Sequence, residues 1–154
     1  MKIEIIPYEP IHGYRILEKN TIEANIRLGR LPGWEKMVED FGNYGPAFTI
    51  FIEEEPITCG GIILLPCQKG EAWLISSKTV LNIKLFLYKS IKNYLSSMTK
   101  ENKLRRVQAL CDPSFKKGIS LLKHLGFENE TPNGMKKFGP NGETMFMFAK
   151  IFGE

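Results

Sequence analysis

A chain of 154 residues, 43% hydrophobic and 25% charged, has the length and mixture of one globular domain, residues 1–154. Such a domain buries roughly two thirds of its unfolded surface, so it needs neither disulfides nor a structural metal to hold a core. The net charge of +4 is mild: it suits an anionic ligand, weak attraction to nucleic acid, or simply a slightly basic surface. The odd set Cys59, Cys67 and Cys111 has no C-x-x-C spacing, and His12 and His124 are far apart, which argues against a disulfide framework and a zinc site.

The N-terminal KIEII (2–6) is apolar and β-branched and predicts a first strand, ended by Pro7 and Pro10. It lacks the long apolar region of a secretory leader, and no apolar run approaches the ~20 residues of a membrane span, so a cytoplasmic protein is expected. Apolar positions from Ile11 to Leu28 predict one broken helix or two short ones, with Asn20 or Thr21 as the second N-cap and Gly29 as the stop. Pro32 opens a further short helix, PGWEKMVEDF, closed by Gly42. Residues 47–65 read as two strands around the turn Glu53-Glu54-Glu55-Pro56. Gly60-Gly61 inside the second strand suggests a bulge or a close approach by another group.

GEAWLISS (70–77) predicts a fourth strand. Residues 80–98 predict the longest helix, with Val80, Leu87, Ile91, Leu95 and Met98 on one face. RVQALC (106–111) is a fifth strand. Asp112 and Pro113 then read as N-cap and first helical residue. The next helix carries Phe115, Ile119, Leu122 and Leu125 on its core side and closes on Gly126, with Phe127 packing back. A hairpin turn at Gly139-Pro140-Asn141-Gly142 leads to a last strand with Phe146, Phe148 and Phe152 on one side and Met145, Met147 and Ile151 on the other. A strand apolar on both sides is expected to be central and covered on both faces.

The order β, helices, β-β-β, α, β, α, β-β predicts an α+β domain of α/β/α layering, with a mixed, mainly antiparallel twisted sheet and helices on both faces. It resembles the GNAT N-acetyltransferase family. The family often writes its second helix N-x-x-A-x-x-x-Y-x-x-L-G-F; here that register falls on Phe115, Gly118, Leu122 and Leu125-Gly126-Phe127. The small residue and Leu-Gly-Phe match, whereas phenylalanine and leucine stand for the asparagine and tyrosine. The tyrosine is commonly the acid that protonates the leaving thiolate, and leucine cannot do so. The family's glycine-rich phosphate loop corresponds to Ser76–Lys84, which contains no glycine. The strand end Trp73-Leu74-Ile75-Ser76-Ser77, the K-x-G-x-x-L-L-K-x-L-G-F helix and the F-G-P-N-G-E turn are similar to divergent acetyltransferase-like proteins of tailed phages and prophages. The resemblance is firmest over 70–152.

The resemblance implies acetyl-coenzyme A as cofactor and a small-molecule or peptide amine as acceptor, in a monomer or homodimer. It implies that the backbone of Leu74, Ile75 and Ser76 pairs with the amide arm of pantetheine like an added strand. Ser77, Thr79 and Asn82 would add donors to a helix N-terminus that binds the pyrophosphate, and Lys78 and Lys84 would add charge; Ser77 or Thr79 reads equally as a plain helix cap. Phe115 would wall the site. Glu23, Glu71 and Asp112 are the candidate acid–base carboxylates, each of which also reads as an ordinary surface, strand-edge or capping residue. Cys111 reads as a buried small residue, since no base is placed beside it. Two other readings stay open: a GNAT-like binding or structural module that has lost catalysis, and a nucleic-acid accessory domain. Lys84, Lys89, Lys92, Lys100, Lys103, Arg105 and Arg106 would form the basic stripe of the latter, although no recognition motif accompanies them.

Overall fold

The structure is a computed structural model, described over residues 2–19, 33–78 and 84–153. The elements run β1 (Ile3–Pro7), α1 (Pro10–Lys19), α2 (Trp34–Asn43), β2 (Ala47–Ile52), β3 (Glu55–Leu65), β4 (Lys69–Ser76), α3 (Lys84–Glu101), β5 (Arg106–Cys111), α4 (Lys116–His124), β6 (Glu128–Asn129) and β7 (Phe146–Ile151). The seven strands form one open sheet in the order β1-β2-β3-β4-β5-β7-β6. Each pair is antiparallel except β4 with β5. Asn20, Thr21, Glu23, Gly29, Pro32, Thr79, Val80 and Asn82 lie outside the described residues.

Alternation along the strands feeds two cores, one on each face of the sheet. On one face Phe48, Ile50, Ile62, Val107 and Phe148 pack with Leu87, Ile91, Leu95 and Met98 of α3, and with Leu122 of α4. On the other, Cys59 and Ile75 pack with Ile16 of α1 and with Val38 and Phe41 of α2. Trp73 joins that second core, stacked on Phe41 at 4.2 Å between ring centroids and edge-on to Tyr8. The α/β/α layering expected from element order is therefore what the chain forms.

Several local expectations are corrected. The helix expected to close at Gly42 continues through Asn43, and Tyr44 caps it by donating its amide to the Asp40 carbonyl. Pro56 belongs to β3 rather than to the turn, which is a two-residue hairpin with both Glu53 and Glu54 left-handed (φ 48° and 68°). The bulge falls at Ile57, where the β2–β3 register shifts between Ile50 and Phe51. Of the two expectations for Gly60-Gly61, the close approach is the one met: a Cβ on Gly61 would lie 2.5 Å from the Pro46 carbonyl oxygen. β7 is internal, between β5 and β6, yet only Phe148 and Ala149 are buried, because the two-residue β6 leaves Ile151 48% exposed.

Gly45 sets the entry to β2. The segment before that strand runs beside β3, with the Ile62 amide on the Pro46 carbonyl (3.0 Å) and the Leu64 amide on the Tyr44 carbonyl (2.8 Å). A Cβ on Gly45 would overlap the Ile62 carbonyl oxygen, which belongs to backbone fixed by those two bonds. Gly45→Ala is expected to cost about 3 kcal/mol, the upper part of the usual overpacking range. A urea midpoint within error of the wild type would show that β3 yields more easily than its hydrogen bonds imply.

Candidate functional site

The feature that makes a site is a split in the sheet. β4 and β5 pair only across Lys69–Arg106, Gly70–Val107 and Glu71–Gln108. Beyond these pairs, among the described residues, the parallel ladder stops. Leu74 and Ser76 on one strand, and Ala109 and Cys111 on the other, line a cavity of about 900 Å³ that extends beneath α3 and α4. The hairpin residues Phe138, Pro140 and Glu143 close its outer side.

The register of β3 with β4 settles which backbone groups face this opening. The Ser77 amide donates to the Ile57 carbonyl at 2.8 Å. Antiparallel pairing alternates, so Ile75 also directs its backbone toward β3, and Leu74 and Ser76 direct theirs to the side from which β5 departs. The Ile75 side chain is buried in the opposite core with α1 and α2. Of the three strand residues expected to meet a ligand, Leu74 and Ser76 line the cavity and Ile75 does not.

Lys84 and Phe115 also line the cavity, as does Asp112; Ser77 and Lys78 do not. Ser77 is buried and Lys78 is exposed at the end of β4. Glu71 lies outside the cavity, on the face shared with Trp73 and Ile75. Asp112 stands four residues beyond Gln108, the partner of Glu71, which places the two carboxylates about 13 Å apart along the sheet. They do not form an acid–base pair on one atom.

Asp112 is not the N-cap expected from sequence. Its Oδ1 accepts from the Ser114 amide (2.8 Å) and hydroxyl (2.7 Å), an Asx turn that precedes the helix. The N-cap of α4 is Phe115, at φ −87° and ψ 77°, with no side-chain cap bond. The Phe115 ring lies over Gly118, where a Cβ would collide with it, which is the physical reason for a small residue there. At the far end the helix closes as predicted: Gly126 is left-handed (φ 92°), and the Phe127 amide reaches back to the Leu122 carbonyl at 2.9 Å.

The carboxylate at the split, Asp112, is held by Ser114, and no phenol stands beside it among the described residues. Leu122 occupies the tyrosine position of the family pattern. Burial pushes the Cys111 thiol up to about 11, so it is neither a ready nucleophile nor a good proton donor near neutrality. A phenol that sequence reasoning missed does line the cavity: Tyr88, whose hydroxyl donates to the His124 carbonyl at 3.1 Å. Its place three residues before Ile91 on the apolar face of α3 was the available signal. His124 ends α4, about 13 Å along the helix from its start beside β5, so Tyr88 is remote from the strand end.

A second missed group is His12. It is 5% exposed, between α1 and β2, with Nδ1 2.8 Å from the Thr49 hydroxyl and accepting from the Glu9 amide. Burial lowers its pKa below 6.5, opposed by the nearby Glu9 carboxylate. A base with a depressed folded pKa binds fewer protons folded than unfolded below that value, so stability is flat above pH 6.5 and falls as pH drops beneath it. His12→Gln should flatten that part of the profile relative to the wild type. Identical slopes between pH 6.5 and 5 in both proteins would remove His12 from the account.

At the level of sequence no family model matches this chain, and no curated protein does. Solved structures do match its architecture. A GNAT-family acetyltransferase from Streptococcus pneumoniae is 13% identical, over 99% of this chain and 100% of its own, with a TM-score of 0.71. A ribosomal-protein-S5-alanine acetyltransferase from Vibrio fischeri is 18% identical, over 98% and 93%, with a TM-score of 0.69. A ribosomal L7/L12 α-N-protein acetyltransferase, solved in complex with coenzyme A, is 13% identical, over 99% and 95%, with a TM-score of 0.71. At such identities the likeness speaks for architecture alone, and the architecture of this chain is the GNAT acetyltransferase fold.

Proposed function

We propose that the protein transfers an acetyl group from acetyl-coenzyme A to an amine, by direct attack in a ternary complex. The observation that carries this reading is the split between β4 and β5, which opens onto a ligand-sized cavity in a sheet of acetyltransferase architecture. Pantetheine lies along β4, pairing with the backbone of Leu74 and Ser76. The pyrophosphate would be held toward the start of α3 by Lys84, the one member of the expected Ser77, Lys78, Thr79, Asn82 and Lys84 set that lines the cavity among the described residues. Coenzyme A supplies the thioester; the chain supplies position and backbone donors that stabilise negative charge on the carbonyl oxygen.

The amine nitrogen attacks the thioester carbon, the C–N bond forms and the C–S bond breaks. The proton lost by the amine ends on the departing sulfur. With Leu122 in the acid position, water at the cleft mouth carries that proton. Glu71 and Glu23 are the carboxylates assigned to the acceptor side, holding an ammonium group or its water. The acceptor is a small amine or a peptide amine.

A second reading, a GNAT-like module without turnover, is favoured by Leu122, by the engaged Asp112 carboxylate and by the loop without glycine. A phage or prophage role fits that reading on the sequence features noted above. The two readings separate in a thiol-release assay with acetyl-coenzyme A over a panel of polyamines, aminoglycosides and peptides. Amine-dependent thiol release above background supports transfer. Coenzyme A binding without release for every amine class would support the module.

A further inference from the structure

We infer that the donor site takes an acyl chain longer than acetyl, housed in the inner end of the same cavity; the inference rests on the coenzyme A reading above. The cavity does not stop at the split. Its lining follows α3 from Lys84 to Met98, fourteen residues or about 21 Å of helix. Its two ends differ in chemistry. Ser76, Lys84, Asp112, Lys117 and Glu143 belong to the strand ends, the helix starts and the hairpin, which form the mouth. Tyr88, Ser120 and His124 are engaged with one another through the Tyr88 hydroxyl on the His124 carbonyl and His124 Nδ1 on Ser120. The inner end is walled by Phe48, Ile62, Ile91, Leu95, Met98 and Phe127.

An amide-bearing pantetheine arm cannot satisfy its polar groups against that wall, and burying them unpaired is costly. Hydrocarbon can occupy it at a gain. Protein interiors are otherwise packed with few voids larger than water, so a cavity that runs under most of a helix calls for an occupant. An acetyl group, two carbons at the thioester, leaves the inner end untouched. A longer chain attached at the same carbonyl runs from the split along Ala72 and Ile62 toward Leu95 and Met98. The chemistry of transfer is unchanged: the acyl carbon leaves sulfur for the amine nitrogen, and the sulfur takes the amine proton.

The test is calorimetry of the full chain with coenzyme A and its acetyl, butanoyl and octanoyl thioesters, with methyl spectra of Leu95 and Met98 recorded alongside. Full burial of a methylene is worth about fourfold in affinity, and ordering the chain returns part of this. Octanoyl-coenzyme A should bind at least about thirtyfold tighter than acetyl-coenzyme A and shift both methyl groups. Ala72→Leu, folded by its amide spectrum, should reduce that ratio by at least about tenfold. Equal affinities for all four ligands, or a ratio untouched by Ala72→Leu, overturns the inference while leaving the coenzyme A site standing. Absence of binding by all four ligands overturns both.

Discussion

Ala109→Phe is expected to weaken coenzyme A binding at least about a hundredfold while the protein stays folded. Ala109 is the first residue of β5 past the last β4–β5 pair, and its side chain lines the cavity at the split. A phenyl ring there occupies the line along β4 that pantetheine needs if it pairs with Leu74 and Ser76. Losing two such hydrogen bonds, each worth roughly 1–1.5 kcal/mol net, gives the hundredfold figure. The fold should tolerate the change because the ring enters existing space rather than a packed interior. Calorimetry with coenzyme A, paired with a melting curve, checks both halves. Undiminished affinity in a folded variant would move the cofactor away from the split.

Phe148→Ala should be the most destabilising single truncation of the sheet. Phe148 is fully buried in β7, directly opposite Ala109 of β5 and paired on its other side with Asn129 of β6. It joins both halves of the sheet to the α3–α4 core. Truncating a buried phenylalanine costs about 3–5 kcal/mol, and more where the surroundings cannot collapse. Strands on both sides of β7 limit collapse here, so about 4 kcal/mol is expected. For a domain of this size that is roughly a 10 °C fall in melting temperature. A fall of only a degree or two would mean that the β5–β7 seam is looser than its unbroken ladder suggests.

The fold was legible because its signals are periodic and local. The alternation of β4 and β5, the seven-residue and four-residue spacing from Leu87 to Met98, and Gly126 after Leu125 each state a local conformation in residue type alone. The errors came where one residue type serves two ends. Asp112-Pro113 reads as a helix start, yet its carboxylate is taken by Ser114 and the helix waits until Phe115 has packed on Gly118. Gly60-Gly61 left a bulge and a close approach open in sequence, and only the fold decides between them, because Pro46 and Ala47 pass beside Gly61, a contact made across fifteen residues of sequence.

The site was legible only in part, for a geometric reason. Which backbone groups of β4 face the split depends on strand register, and register is a property of the pair β3–β4 rather than of either sequence. That is why Leu74 and Ser76 reach the cavity and Ile75 does not. The separation of Glu71 from Asp112 follows from a second pairing, β4–β5, since one stands where those strands still touch and the other where they have parted. Tyr88 and His12 were passed over because a phenol and an imidazole on apolar faces read as core, which is how His12 does behave.

The most direct test of the central claim is an amide-resolved titration of the protein with coenzyme A and with acetyl-coenzyme A. Saturable shifts centred on residues 74–84 and 110–118 are the predicted result. Unchanged spectra at millimolar ligand would contradict it, and would leave this acetyltransferase architecture in use as a binding or structural module.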